Sequence, residues 1–84
     1  MTLQKRSVYI LKSQTLADCY YVGLTSDVAT RLETHNSGGS AHAAAGRPWR
    51  VVVTVEFDEE SKAVRFERYL KTGSGRAFAN RHFR

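Results

Sequence analysis

Residues 7–12 (SVYILK) form an unbroken run of strand-favouring positions, and residues 19–24 (CYYVGL) form a second, with the polar stretch 13–18 between them. Two β-rich runs joined by a short polar segment predict an antiparallel hairpin. A turn centred near Thr15 sets Tyr9 opposite Tyr21 and puts both rings on one face of the sheet. From residue 25 the period changes. Thr25, Ser26 and Asp27 are all N-cap residues, and Val28, Arg31, Leu32 and His35 then recur at helical spacing up to about Asn36, with Gly38 and Gly39 as the stop. Residues 40–48 (SAHAAAGRP) read as an exposed, mobile loop, after which Trp49 anchors the return to the core. Residues 50–57 (RVVVTVEF) are a third strand, whose three consecutive valines predict burial on both faces and hence a central place in the sheet. Asp58 is placed to cap a helix over about 59–72 that Gly73 stops, and Ser74 to cap a last short one over about 75–82.

The order β-β-α-β-α-α predicts an α+β domain, a three-stranded sheet flanked by helices. With 84 residues the expectation is one domain over 1–84, with its core in about 7–82. A strand that follows a helix leaves the direction of the third strand open. Nothing approaches a membrane-spanning length, and the apolar run 8–11 is too short for a secretory signal. Cys19 is the single cysteine, which excludes an intrachain disulfide and a thiolate metal cluster, so a reducing cytoplasm is expected. Thirteen Lys and Arg against eight Asp and Glu give a net charge of +5 and a pI near 9.8, favouring a polyanionic partner, nucleic acid or an acidic membrane surface.

Two placements stand out chemically. Arg31 and His35, four residues apart, project from one helix face, and that face is the apolar one. A surface helix would send its arginine the other way, so an anion is expected there. Glu67 falls among Ala63, Phe66 and Leu70 on the inward face of the next helix, where a lone carboxylate costs several kcal/mol without a partner. It is therefore a candidate metal ligand or catalytic acid. Each has a plainer role available. Asp27 could pair with Arg31, His35 could sit as a cation on the helix dipole, Arg31 could neutralise Glu67, and the tyrosines could be cross-strand packing. From Lys62 to Arg84 there are seven Lys and Arg against the single acid Glu67. Lys62, Arg65, Arg68 and Lys71, at three-residue intervals, together with Arg47 and Arg50, are candidates for a phosphate-backbone track. The glycine-rich TGSGR at 72–76 lacks the P-loop pattern, and His42 and His82 have no metal-ligand spacing.

Taken together these residues resemble a known pattern. Ser7-Val8-Tyr9, eleven residues, and then Tyr21-Val22-Gly23, followed by Arg31, by His35 in LETHNSG and by Glu67, resemble the signature of the GIY-YIG nuclease superfamily in order and spacing. Ser7 stands where the family has its first glycine and Val22 where it has isoleucine. The resemblance implies metal-dependent hydrolysis of a phosphodiester, usually in DNA, leaving a 5′-phosphate and a 3′-hydroxyl. It implies Glu67 as the ligand of one divalent cation, Mg²⁺ with Mn²⁺ as substitute. Tyr9 would be the general base, perturbed downward by Arg31 and the metal and assisted by His35, and Tyr21 would position phosphate or water. Gly23 and Asn80 would support the site. The expected substrate is DNA, single-stranded, branched or duplex, with no specificity domain attached. The alternative reading is a nucleic-acid-binding module on the same scaffold without catalysis.

Overall fold

The structure, a computed structural model, describes residues 4–38 and 44–84. Among these, three strands and three helices follow the expected order: β1 (Ser7–Ser13), β2 (Tyr20–Thr25), α1 (Val28–Asn36), β3 (Trp49–Glu56), α2 (Glu60–Leu70) and α3 (Gly73–His82). The sheet is antiparallel throughout and its order is β2-β1-β3.

The central strand is thus β1, not the valine-rich β3. Val8, Tyr9, Ile10 and Leu11 are each at most 1% exposed, because β1 alone is covered on both faces and paired on both edges. Val8 and Ile10 pack against Ala63 and Leu70 of α2 and Ala79 of α3. Tyr9 and Leu11 pack on the other side, with Trp49 and with Val28 and Leu32 of α1. Each buried aliphatic side chain contributes roughly 1.5–3 kcal/mol, so this strand is the backbone of both half-cores. The three valines of β3 have another cause. The pairing runs Ile10↔Val53 and then Leu11↔Val51, leaving Val52 as an extra residue in a β-bulge. Val52 and Val53 therefore both join the α2/α3 cluster, while Val51 joins the α1 cluster.

The hairpin forms with a register two residues from the one expected. Tyr9 pairs with Gly23 and Leu11 with Tyr21. A two-residue shift preserves the side-chain alternation, so Tyr9 and Tyr21 still share a face. The loop that sets this register is fixed by Ser13, whose Oγ donates to Gly46 O at 2.6 Å and accepts from the N–H groups of Thr15 and Leu16. Asp18 turns the chain with a φ of 53°, a conformation Asp tolerates.

The segment after α1 is less open than a mobile loop. Residues 40–43 of it lie outside the described residues. Beyond them Gly46 is buried under the Trp49 indole, and the carbonyls of Arg47 and Pro48 accept from Thr15 Oγ1 and Gln14 N–H. Trp49 is buried, at 4% exposed, as its anchoring role requires.

Of the three helix starts, α1 is capped by one of the expected residues, and α2 and α3 are capped by others. Asp27 caps α1, accepting from Thr30 N–H and from its hydroxyl, and these bonds hold its carboxyl below the usual range. At α2 the N-cap is Glu59 rather than Asp58, whose carboxylate instead pairs with Lys62 at 3.0 Å. At α3 the cap is Thr72 rather than Ser74: its Oγ1 accepts from Gly75 N–H at 3.1 Å and lets the helix begin at Gly73. Ser37 is the C-cap of α1, and Gly38 follows with a φ of +81°, where a side chain would be strained.

Candidate active site

The α1 face of the sheet gathers four of the expected groups. Tyr9 projects from β1 and Tyr21 from β2, their ring centroids 6.2 Å apart. The His35 imidazole, from the last turn of α1, lies 4.4 Å from the Tyr21 ring and 6.4 Å from the Tyr9 ring. Trp49 closes the group, 6.2 Å from His35. Arg31, one turn before His35, is exposed at the rim, near enough for its charge to act on both Tyr9 and His35.

Gly23 explains how Tyr9 fits. A Cβ at residue 23 would collide with Cζ and Oη of Tyr9, so only glycine leaves room for the phenol to lie against β2. Opposite it in the pairing, Tyr9 reaches toward Tyr21 across that gap.

The electrostatics of the two candidate bases diverge. Burial, with the neighbouring Tyr21 phenol as second cause, pushes Tyr9 up from its ordinary 10.0 to about 12, and the Arg31 guanidinium offsets only part of this. The downward shift expected from Arg31 is overridden. His35 moves down from 6.5, first through burial and then through Arg31. It is neutral at pH 7, which removes the reading of His35 as a cation on the helix dipole. Asp27 is occupied with Thr30, so Arg31 is not tied to it by the helix-surface pair considered above.

Glu67 lies in the other layer, on α2. Its side chain is 17% exposed, and Oε1 pairs with Lys71 Nζ at 2.9 Å, a partner on its own helix rather than Arg31. Its helix packs on the face of β1 opposite the α1-side cluster, and Tyr21 and Lys71 line the same cleft at the β2 edge. Asn80 is exposed on α3 and accepts from Arg84 at 3.1 Å; its hydrogen bond is made away from the aromatic cluster.

A second asparagine, Asn36, makes its bonds on the α1 side. Asn36 Nδ2 donates to Trp49 O at 3.1 Å, and its Oδ1 accepts from Trp49 N–H. This bidentate clasp fixes the end of α1, and with it His35, to the first residue of β3. Its place directly after His35 in LETHNSG was the available signal.

The basic candidates do not form one continuous track. Arg50 is exposed beside its cross-strand neighbour Lys12 at the hairpin end of the sheet, and Arg47 is exposed just before it. Lys62, paired with Asp58, stands at the opposite end, where Phe57 N–H bonds to Arg6 O. Arg65 and Arg68 are exposed on α2, and Lys71 carries the pair with Glu67.

The family model described as the GIY-YIG catalytic domain matches residues 5–81. This chain belongs to the GIY-YIG family. A UPF0213 protein of Staphylococcus haemolyticus is 36% identical over 73 residues, covering 86% of this chain and 87% of its own. A UPF0213 protein of Halalkalibacterium halodurans is 39% identical over 65 residues, 76% of this chain and 67% of its own. The structure-specific endonuclease subunit SLX1 of Scheffersomyces stipitis is 36% identical over 67 residues, 71% of this chain but only 20% of that longer protein. No solved structure matches the chain. Among the described residues, no helix is long and apolar enough to cross a membrane.

Proposed function

We propose that this chain is a divalent-metal-dependent endonuclease that hydrolyses phosphodiester bonds in DNA, with single-stranded or branched DNA as substrate. The observation that carries the reading is the packing of Tyr9, Tyr21 and His35 against one another, within reach of the Arg31 charge, in a chain of the GIY-YIG family. SLX1, named a structure-specific endonuclease subunit, supports a substrate chosen by its shape. A single thiol suits a reducing, cytoplasmic compartment.

Glu67 is the residue that would hold the cation. Among the described residues no three His, Cys, Asp or Glu side chains come together, so the site does not suit a metal that needs a cage of protein ligands. One partly exposed carboxylate does suit Mg²⁺ or Mn²⁺, which keeps most of its water. When bound, the ion supplies positive charge to the phosphate and the leaving oxygen.

The remaining work falls to the chain's own groups. A phenol at about 12 and 1% exposed stays protonated at neutral pH, so Tyr9 serves as a hydrogen-bond donor that orients the Tyr21 phenol. His35, half-buried and neutral, takes the proton from that water. Tyr21, between the two, positions the phosphate. Arg31 faces solvent, free to stabilise negative charge growing on the phosphate oxygens.

The test is cleavage of matched single-stranded, duplex and forked DNA with Mg²⁺ or Mn²⁺, with EDTA and Glu67→Ala as controls. Metal-dependent cutting that disappears in Glu67→Ala supports the enzyme. Salt-sensitive binding with no cutting of any substrate would instead establish the non-catalytic binding module.

A further inference from the structure

A second concavity lies on the opposite side of β2 from the aromatic cluster. It is a cleft of about 250 Å³ between β2 and the corner where α2 meets α3, walled by Tyr20, Val22 and Leu70, with Tyr21 at its edge. Its remaining lining is Lys71, Arg76 and Arg84, all exposed, and among the described residues no Asp or Glu lines it. Lys71 is paired with Glu67, which leaves Arg76 and Arg84 as two cations without a carboxylate partner among the described residues, a repulsion that an anion would relieve.

The arginine nearest the strand is held in position. The Arg84 guanidinium lies 4.1 Å from the centre of the Tyr20 ring, and its Nη1 donates to Asn80 Oδ1 at 3.1 Å. Stacking on an aromatic face orients the planar fork without consuming its N–H donors, and of the five only one is engaged with Asn80. Lys12 Nζ approaches the same ring at 5.8 Å, from the cross-strand position beside Tyr20. Arg76 forms no ion pair among the described residues.

We propose that this cleft is a backbone-phosphate site, in which Lys71, Arg76 and Arg84 hold a phosphate of the DNA strand and Tyr20 sets the direction of the Arg84 guanidinium. The proposal deepens the nuclease reading and rests on it. The cleft adjoins the candidate active site twice over, through Tyr21 and through the Lys71–Glu67 ion pair. A DNA strand seated here runs along the β2 edge, where Tyr21 and Lys71 line the same cleft. Guanidinium forks recognise phosphate oxygens in bidentate fashion and read no base, so the cleft confers affinity and register rather than sequence preference.

The experiment measures binding apart from cleavage. Fluorescence anisotropy of labelled single-stranded and forked DNA, titrated with the full chain in EDTA, is recorded over a series of salt concentrations. The variant Arg76→Gln/Arg84→Gln removes two exposed charges, and Lys5→Gln/Arg81→Gln removes the same charge away from the cleft. The cleft variant is expected to bind about 10-fold or more weakly, with a salt slope lower by about one, the loss of roughly one phosphate contact. The matched control is expected to stay within about threefold with its slope unchanged, since net charge alone acts weakly at such salt. Tyr20→Phe, which keeps the ring, is expected to bind as wild type, whereas Tyr20→Leu loses part of the affinity. A cleft variant that behaves like the matched control overturns the proposal. If that protein still cuts DNA, the nuclease reading survives; wild-type protein that neither binds nor cuts overturns both.

Discussion

The Tyr9 phenol lies against the backbone of Gly23, in the space that any other residue's Cβ would occupy. This contact ties the central strand to its neighbour at the position where the buried phenol meets Tyr21. It gives the glycine of the second motif a steric purpose. Gly23→Ala is therefore expected to displace the Tyr9 ring, costing about 1–3 kcal/mol as an overpacked core does. Thermal unfolding together with cleavage assays would check this, activity falling further than stability alone explains.

His35 makes the fold sensitive to acid. Its pKa is lowered in the folded domain, so above about 6.5 it is neutral in both states and costs nothing. As pH falls below that value the unfolded chain takes up the proton first, and stability drops until the folded imidazole also titrates. Denaturant unfolding between pH 7 and 5 should show this decline, and His35→Gln should flatten it. Because Arg31 contributes to the lowering, Arg31→Ala should move the His35 titration, followed by NMR, back toward 6.5.

The two candidate bases are separable by kinetics. With the Tyr9 phenol at about 12, no ionisation of it is expected near neutrality. Tyr9→Phe should slow cleavage by roughly 10–100-fold while leaving the acid limb of the pH–rate profile in place. His35→Ala should cost about 10²–10⁴-fold, the usual worth of a general base, and abolish that limb.

Asn36→Ala would remove the two hydrogen bonds that join the end of α1 to the backbone of Trp49. An unfolding free energy lower by about 1–3 kcal/mol is expected. Because α1 then loses its tie to β3, the cleavage rate should fall although Asn36 touches no substrate. Hydrogen exchange in the last turn of α1 would report the loosening directly.

Element order, the hairpin, the capped first helix and the shared face of the two tyrosines were all legible in the chain. That face survived a wrong turn centre because the error was an even number of residues, and strand alternation has a period of two. The position of β3 was not legible. A bulge at Val52 gives three successive valines the look of a strand buried on both faces, while SVYILK, the true centre, is shorter and mixed in polarity. Helix caps were misplaced by one or two residues where several capping residues compete, as at Asp58 and Glu59. Glu67 is 17% exposed and takes Lys71, four residues on, as its partner rather than Arg31, a choice of geometry that charge counting does not rank. The direction of the Tyr9 shift escaped for a related reason: Arg31 is visible in the chain, but the burial that outweighs it emerges only from packing.

The measurement closest to the central claim is single-turnover cleavage of forked and single-stranded DNA by the full chain with Mn²⁺, followed from pH 5 to 8 beside Glu67→Gln and His35→Ala. Metal-dependent strand scission with an acid limb below pH 6.5 is the predicted result, with scission lost in Glu67→Gln and the limb absent from the slow residual cleavage of His35→Ala, while circular dichroism stays native in both. Scission retained in Glu67→Gln, or no scission by the wild-type chain at any pH, would contradict the account.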